Sequence, residues 1–111
     1  MSITAIFIRS EIKNQTYVIS LHADEERLAD GLTIRQIEYA LSDCEILETY
    51  PEDVRGESCL VLGFTTAGKA IHIVCGMNRD EHIVWITVYL PTMPKWKDPR
   101  TRNRQEGDLH E

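Results

Sequence analysis

The sequence predicts an α+β domain, with N-terminal helices packed on a four-stranded antiparallel meander. Three observations carry that expectation. Apolar residues recur at three- and four-residue spacing only before Glu45; runs rich in β-branched and aromatic residues fill much of the stretch from Glu45 to Pro91; and short turn-forming segments separate those runs. Helices first and sheet second is the α+β order.

Ser2 suits the N-cap of a first helix with Ile3, Ile6 and Phe7 on one side, although Ile3-Thr-Ala-Ile-Phe-Ile8 also has the composition of a strand. Thr16 to Ser20 reads as an extended link. Leu21 to Ala29 holds mostly good helix formers, and Gly31 stands where a left-handed C-terminal cap is wanted. Thr33-Ile-Arg-Gln36 matches the capping box, so a new helix starts there. Ile34, Ile37, Leu41 and Cys44, with Ala40 beside them, form an apolar stripe suited to a sheet, while Arg35, Glu38 and Asp43 face water.

Glu45 to Tyr50 is a strand ended by Pro51, and Glu52 to Glu57 is a polar connection. Ser58 to Thr65 is the next strand, turned by Thr66-Ala-Gly-Lys69 into a central hairpin whose own turn is Asn78-Arg79-Asp80-Glu81. Strict alternation places Ile71, Ile73 and Cys75 on one face of that hairpin and Ala70, His72 and Val74 on the other. In the partner strand Val84, Ile86, Val88 and Leu90 share a face, and Trp85, Thr87 and Tyr89 share the opposite one. With the aliphatic sets turned to the core, His72, Trp85, Thr87 and Tyr89 come together on the outer face.

At 111 residues the chain suits one domain, expected over residues 1–96, with 97–111 a basic and then acidic flexible tail. No apolar run approaches the ~20 residues that span a bilayer, and the start lacks a secretory layout, so a cytoplasmic protein with no membrane partner is expected. Cys44, Cys59 and Cys75 are widely spaced within apolar segments and read as buried reduced thiols; no metal or other cofactor is expected. The net charge of −6 argues against nucleic-acid binding through the whole surface. Residues 95–104, however, hold five of the twelve basic residues and one acid, hence +4 against −10 for the remainder.

His72 can transfer protons beside Thr87 and Tyr89, or serve as a hydrogen-bonded structural residue. His22 and Arg27 can converge above a helix N-terminus; alternatively His22 caps locally and Arg27 pairs with Asp24 or Asp30. Asp24-Glu25-Glu26 reads as a solvated acidic face. Trp96 between Lys95 and Lys97, followed by Arg100, Arg102 and Arg104, suits stacking on a base while holding phosphate; the other reading has Trp96 closing the core edge and the basic residues forming a solvated or partner-binding arm. With Trp85, these residues are the candidate RNA- or partner-binding set.

Ser20-Leu-His22-Ala23 with Arg27, Gly31-Leu-Thr33, Glu48-Thr-Tyr50, Leu62-Gly63, Gly68-Lys-Ala-Ile-His72, and Ile86-Thr87-Val-Tyr89-Leu-Pro91 with Trp96 resemble a family of small bacterial proteins of uncharacterised function. That family is similar to the RelE, MqsR and BrnT toxins. The resemblance implies a barnase- and RelE-like fold and a toxin of a type II toxin–antitoxin system. Such a toxin is an endoribonuclease that cleaves RNA without a metal, through attack by the ribose 2′-hydroxyl, and a cognate antitoxin, of zinc-finger type in many cases, neutralises it. It further implies a site of His22, Arg27, His72, Thr87 and Tyr89: His72 and His22 for proton transfer, Tyr89 bonded to His72, Arg27 as phosphate clamp and Thr87 orienting the phosphate. Asp30 stands where the family usually carries arginine. A non-catalytic module acting through a protein partner or a homodimer is the competing expectation.

Overall fold

Thr4 starts the first helix, α1 (Ala5–Asn14), because its hydroxyl accepts the Phe7 backbone N–H. The computed structural model describes residues 3–54 and 56–103, so the expected cap, Ser2, lies outside the described residues. Ile8, Glu11 and Ile12 are buried along α1, whereas Ile6 points to water. Strand β1 (Val18–Ile19) follows, then α2 (Leu21–Ala29), α3 (Ile34–Leu41), β2 (Glu45–Tyr50), β3 (Ser58–Phe64), β4 (Ala70–Met77), β5 (Ile83–Tyr89), β6 (Trp96–Asp98) and β7 (Thr101–Arg102). No helix among the described residues is long and apolar enough to cross a membrane.

The caps of α2 and α3 explain their bounds. Ser20 accepts the Ala23 N–H at one end of α2. At the other, Gly31 at φ +69° lets its own N–H reach the Leu28 carbonyl and the Leu32 N–H reach that of Arg27, the paired bonds of a Schellman cap. Thr33 and Gln36 exchange both capping-box bonds at the start of α3. Ile37, Ala40 and Leu41 then face the sheet. Contact is close: a Cβ on Gly63 of β3 would stand 2.2 Å from the Ala40 carbonyl oxygen. Glu38, expected in water, is half-buried and accepts the Tyr17 hydroxyl at 2.5 Å.

The fold is α+β with three helices and a five-stranded sheet in the order β1-β5-β4-β3-β2. The sheet is mixed, which corrects the expectation of a four-stranded antiparallel meander. Val18 and Ile19, expected as an extended link, pair parallel with Val84 and Trp85. Two residues carry too little pattern to announce a strand; the ladder of β5 makes them one.

A bulge in β5 corrects the expected faces. Val74 is opposite Thr87, but Cys75 is opposite Trp85, so Ile86 is an extra residue. Alternation reverses phase across it. Ile83, Trp85 and Val88 turn to the helices, where Trp85 has no exposed surface and stacks on Tyr17 with ring centroids 4.5 Å apart. Trp85 is therefore a core residue and not part of an outer group. Ile86 lies on the opposite face over Gly76, where a Cβ would meet its Cδ1 at 2.7 Å. The core combines Ile8, Ile12, Ile37, Leu41, Val61, Ile71, Ile73, Ile83 and Val88 around that indole.

The segment expected as a tail after residue 96 runs on as the hairpin β6–β7, which lies over the face of the sheet opposite the helices. Long-range pairing holds it: Arg100 bonds Glu45 at 3.0 Å, and Arg102 forms a fork with Glu48, both bonds 2.8 Å. Leu60, Leu62 and His72 are buried on that face.

Candidate functional site

Between the hairpin, α2 and the sheet lies a cleft of about 530 Å³. Its floor is Leu60 and Val74, with Thr87 and Tyr89 from β5 and Tyr50 from β2. Glu26 of α2, Lys95, Trp96 and Arg102 complete its lining. Thr87 and Tyr89 reach it because they stand opposite Val74 and His72 in the regular part of the β4–β5 ladder.

Glu26 is the residue the sequence reading missed. It sits at the outer edge of β5, beyond the two residues that β1 covers, and its Oε1 accepts the Val88 N–H at 2.9 Å. Ser20 does the same for the opposite group, donating its hydroxyl to the Ile86 carbonyl at 3.1 Å. Side chains of α2 thus replace a neighbouring strand. The signal in the sequence was the spacing of four from His22, whose Nε2 lies 3.3 Å from Glu26 Oε2. Glu26 therefore departs from the solvated acidic face expected of Asp24 to Glu26.

His72 is not on an open surface. It has no exposed area, Nε2 is 2.7 Å from the Pro99 carbonyl, and Nδ1 is 3.1 Å from the Tyr89 hydroxyl. Trp96 meets it edge-on, ring centroids 4.4 Å apart. Burial pushes the imidazole below its ordinary range, against the opposing pull of the Pro99 carbonyl. Burial raises the Tyr89 phenol. In this closed arrangement the pair keeps its proton on tyrosine, and the imidazole meets no solvent.

Arg27 does not join the cleft. Its Nε donates to Asp24 at 2.7 Å and its Nη1 to the Leu32 carbonyl at 3.2 Å, bracing the end of α2. His22 is mostly exposed and touches the site through Glu26. Trp96 is 3% exposed and closes the core edge rather than offering a stacking face. Lys97 is exposed on β6, Arg100 spans Glu45 and the Phe64 ring, and Arg104 lies outside the described residues. The Arg102 hydrogen bonds hold the Glu48 carboxyl down at about 2; burial and Glu48 push the Tyr50 phenol up to about 12. All three cysteines are free, and burial raises each thiol, which makes them poor nucleophiles.

Fold and site define a small α+β domain with a polar cleft on the sheet face opposite its helices. Residues 19–90, more than half of the chain, match the family described as Domain of unknown function (DUF4258), and the chain belongs to that family. The match runs from the end of β1 to just past β5, so the hairpin β6–β7 lies beyond it. No curated protein and no solved structure matches the chain.

Proposed function

We propose that the chain is an endoribonuclease with a barnase- and RelE-like fold, the toxin of a type II toxin–antitoxin pair, and that it cleaves RNA in the cleft lined by Glu26 and Lys95. One observation supports this above the others: a carboxylate, Glu26, and two cations, Lys95 and Arg102, line the same cleft as the hydroxyl groups of Thr87, Tyr89 and Tyr50. That is the set needed to move one proton off a sugar and neutralise a phosphate.

In this reading Glu26 takes the proton of the ribose 2′-hydroxyl, with His22 beside it to pass that proton to water. The 2′-oxygen bonds to phosphorus and the bond from phosphorus to the 5′-oxygen breaks. Lys95 gives the leaving oxygen its proton. Thr87 donates to a phosphate oxygen, and Arg102 contributes charge from the rim. Glu26 replaces His72 as base because the imidazole is sealed, and Lys95 and Arg102 replace Arg27 as the phosphate contact because Asp24 and Leu32 hold that guanidinium. The products are a 2′,3′-cyclic phosphate and a 5′-hydroxyl. An antitoxin, of zinc-finger type in the resemblance, acts by covering the cleft.

The test is incubation of the purified chain with end-labelled single-stranded RNA in the presence of a chelator, alongside expression in bacteria. Cyclic-phosphate ends and growth arrest are expected. Glu26→Gln should lower the cleavage rate by at least about a hundredfold. Its amide oxygen can still accept the Val88 N–H, so the fold is kept. Intact RNA together with unimpaired growth overturns the reading.

A second reading, a non-catalytic module that binds a protein partner, is favoured by one observation: Arg27, Arg100 and Arg102 are all engaged by carboxylates of this chain. It requires that wild type and Glu26→Gln behave alike in both assays.

A further inference from the structure

Three groups beside the cleft form one hydrogen-bonded chain. The Pro99 carbonyl oxygen lies 2.7 Å from His72 Nε2, and His72 Nδ1 lies 3.1 Å from the Tyr89 hydroxyl. A carbonyl only accepts, so Nε2 carries the hydrogen. An imidazole with no exposed surface stays neutral, so Nδ1 has a lone pair and accepts the Tyr89 O–H. The phenol oxygen has one hydrogen and two lone pairs. The hydrogen goes to His72. What remains are the two lone pairs, on a residue that lines the cleft.

We propose that His72 is a positioning residue which makes Tyr89 an acceptor-only contact, so that the site recognises, as a hydrogen-bond donor, the 2′-hydroxyl of a ribose next to the one that Glu26 deprotonates. This rests on the RNA reading and names how that site separates RNA from DNA. A free phenol turns its hydrogen to suit either a donor or an acceptor. Here the direction is set before a ligand arrives, and it is set by Pro99, in the turn of the hairpin beyond the family match.

The test is fluorescence anisotropy with two short single-stranded oligonucleotides of one sequence, one carrying 2′-amino and the other 2′-fluoro sugars. Both lack the 2′-hydroxyl nucleophile, so binding is read without cleavage. An amino group donates a hydrogen bond and fluorine does not. Wild type should bind the amino form about fivefold more tightly, the effect of one ordinary hydrogen bond. Tyr89→Phe should erase the preference while leaving the bond from His72 to Pro99 in place. His72→Gln places an amide where Nε2 stood, retains a donor for the Pro99 carbonyl and removes the acceptor at Nδ1. It should erase or invert the preference by releasing the Tyr89 O–H.

Equal binding by wild type, or a preference that survives Tyr89→Phe, overturns the assignment. If His72→Gln fails to fold by circular dichroism, the Tyr89→Phe comparison carries the test. The two readings fail separately. RNA cleavage without an amino preference removes this assignment alone, whereas an amino preference without cleavage supports it and removes the nuclease. Binding of neither oligonucleotide overturns both.

Discussion

Removing the Glu11 carboxylate should detach α1 from the turn between β4 and β5. Its Oε1 accepts the Ile83 N–H at 2.7 Å, its Oε2 accepts the Thr16 hydroxyl at 2.6 Å, and His82 Nδ1 lies 3.1 Å away. Glu11→Ala leaves the buried Ile83 N–H without an acceptor, a cost of about 2 kcal/mol, and the lost Thr16 bond adds about 1 kcal/mol. The total of about 3 kcal/mol is a large share of the 5–15 kcal/mol typical of a domain, and lowers Tm by about 12 °C at roughly 4 °C per kcal/mol. Burial alone would raise the Glu11 carboxyl, but the bonds from Thr16, Ile83 and His82 outweigh it and hold it below 4.5. A carboxyl depressed in the folded state stabilises fully above its unfolded value and loses that contribution as pH falls through the folded one. Urea titrations of wild type and variant should therefore differ by about 3 kcal/mol near neutrality and by less in acid. A difference under about 1 kcal/mol at neutral pH, or one that persists undiminished into strong acid, would refute the reasoning.

Gly63→Ala should cost about 3 kcal/mol, because the new methyl meets backbone atoms of Ala40 that cannot swing aside; the urea midpoint should fall with the slope unchanged. Glu48→Gln weakens the fork to Arg102 and should cost about 1 kcal/mol, since the pair is partly exposed. The same variant should speed exchange of the His72 Nε2–H, which proton NMR can follow. His72 is lowered by burial, so below 6.5 the unfolded chain binds a proton that the folded chain refuses, and stability falls as pH drops from there toward the folded value. His72→Gln should flatten that slope.

The sequence made α2, α3 and the strand runs legible because their signals are local. Thr33 and Gln36 announce a capping box by spacing alone, and Gly31 marks a helix end by its freedom at positive φ. What it concealed depends on distant partners. The extra residue at Ile86 is visible only against β4, and without it alternation sends Trp85 to the wrong face and Val84 and Ile86 to the core. Residues 97–102 read as a tail because their arginines find Glu45 and Glu48 more than fifty residues away. Glu26 hid within an acidic run because nothing near it in the chain reveals that β5 ends its pairing with β1 at Trp85. Thr87, Tyr89 and Lys95, named from the sequence, line one cleft, and Glu26, which lines it with them, was not named as a site residue.

The way α2 finishes the margin of β5 limits how copies of this chain could join. With Ser20 and Glu26 occupying the backbone groups of Ile86 and Val88, that side offers an incoming strand little beyond the two residues of β1. Among the described residues the long margin is the opposite one, β2. Strand-to-strand growth from a single usable margin ends once two copies have met there about a twofold axis, so the arrangement that permits pairing also forbids a fibre.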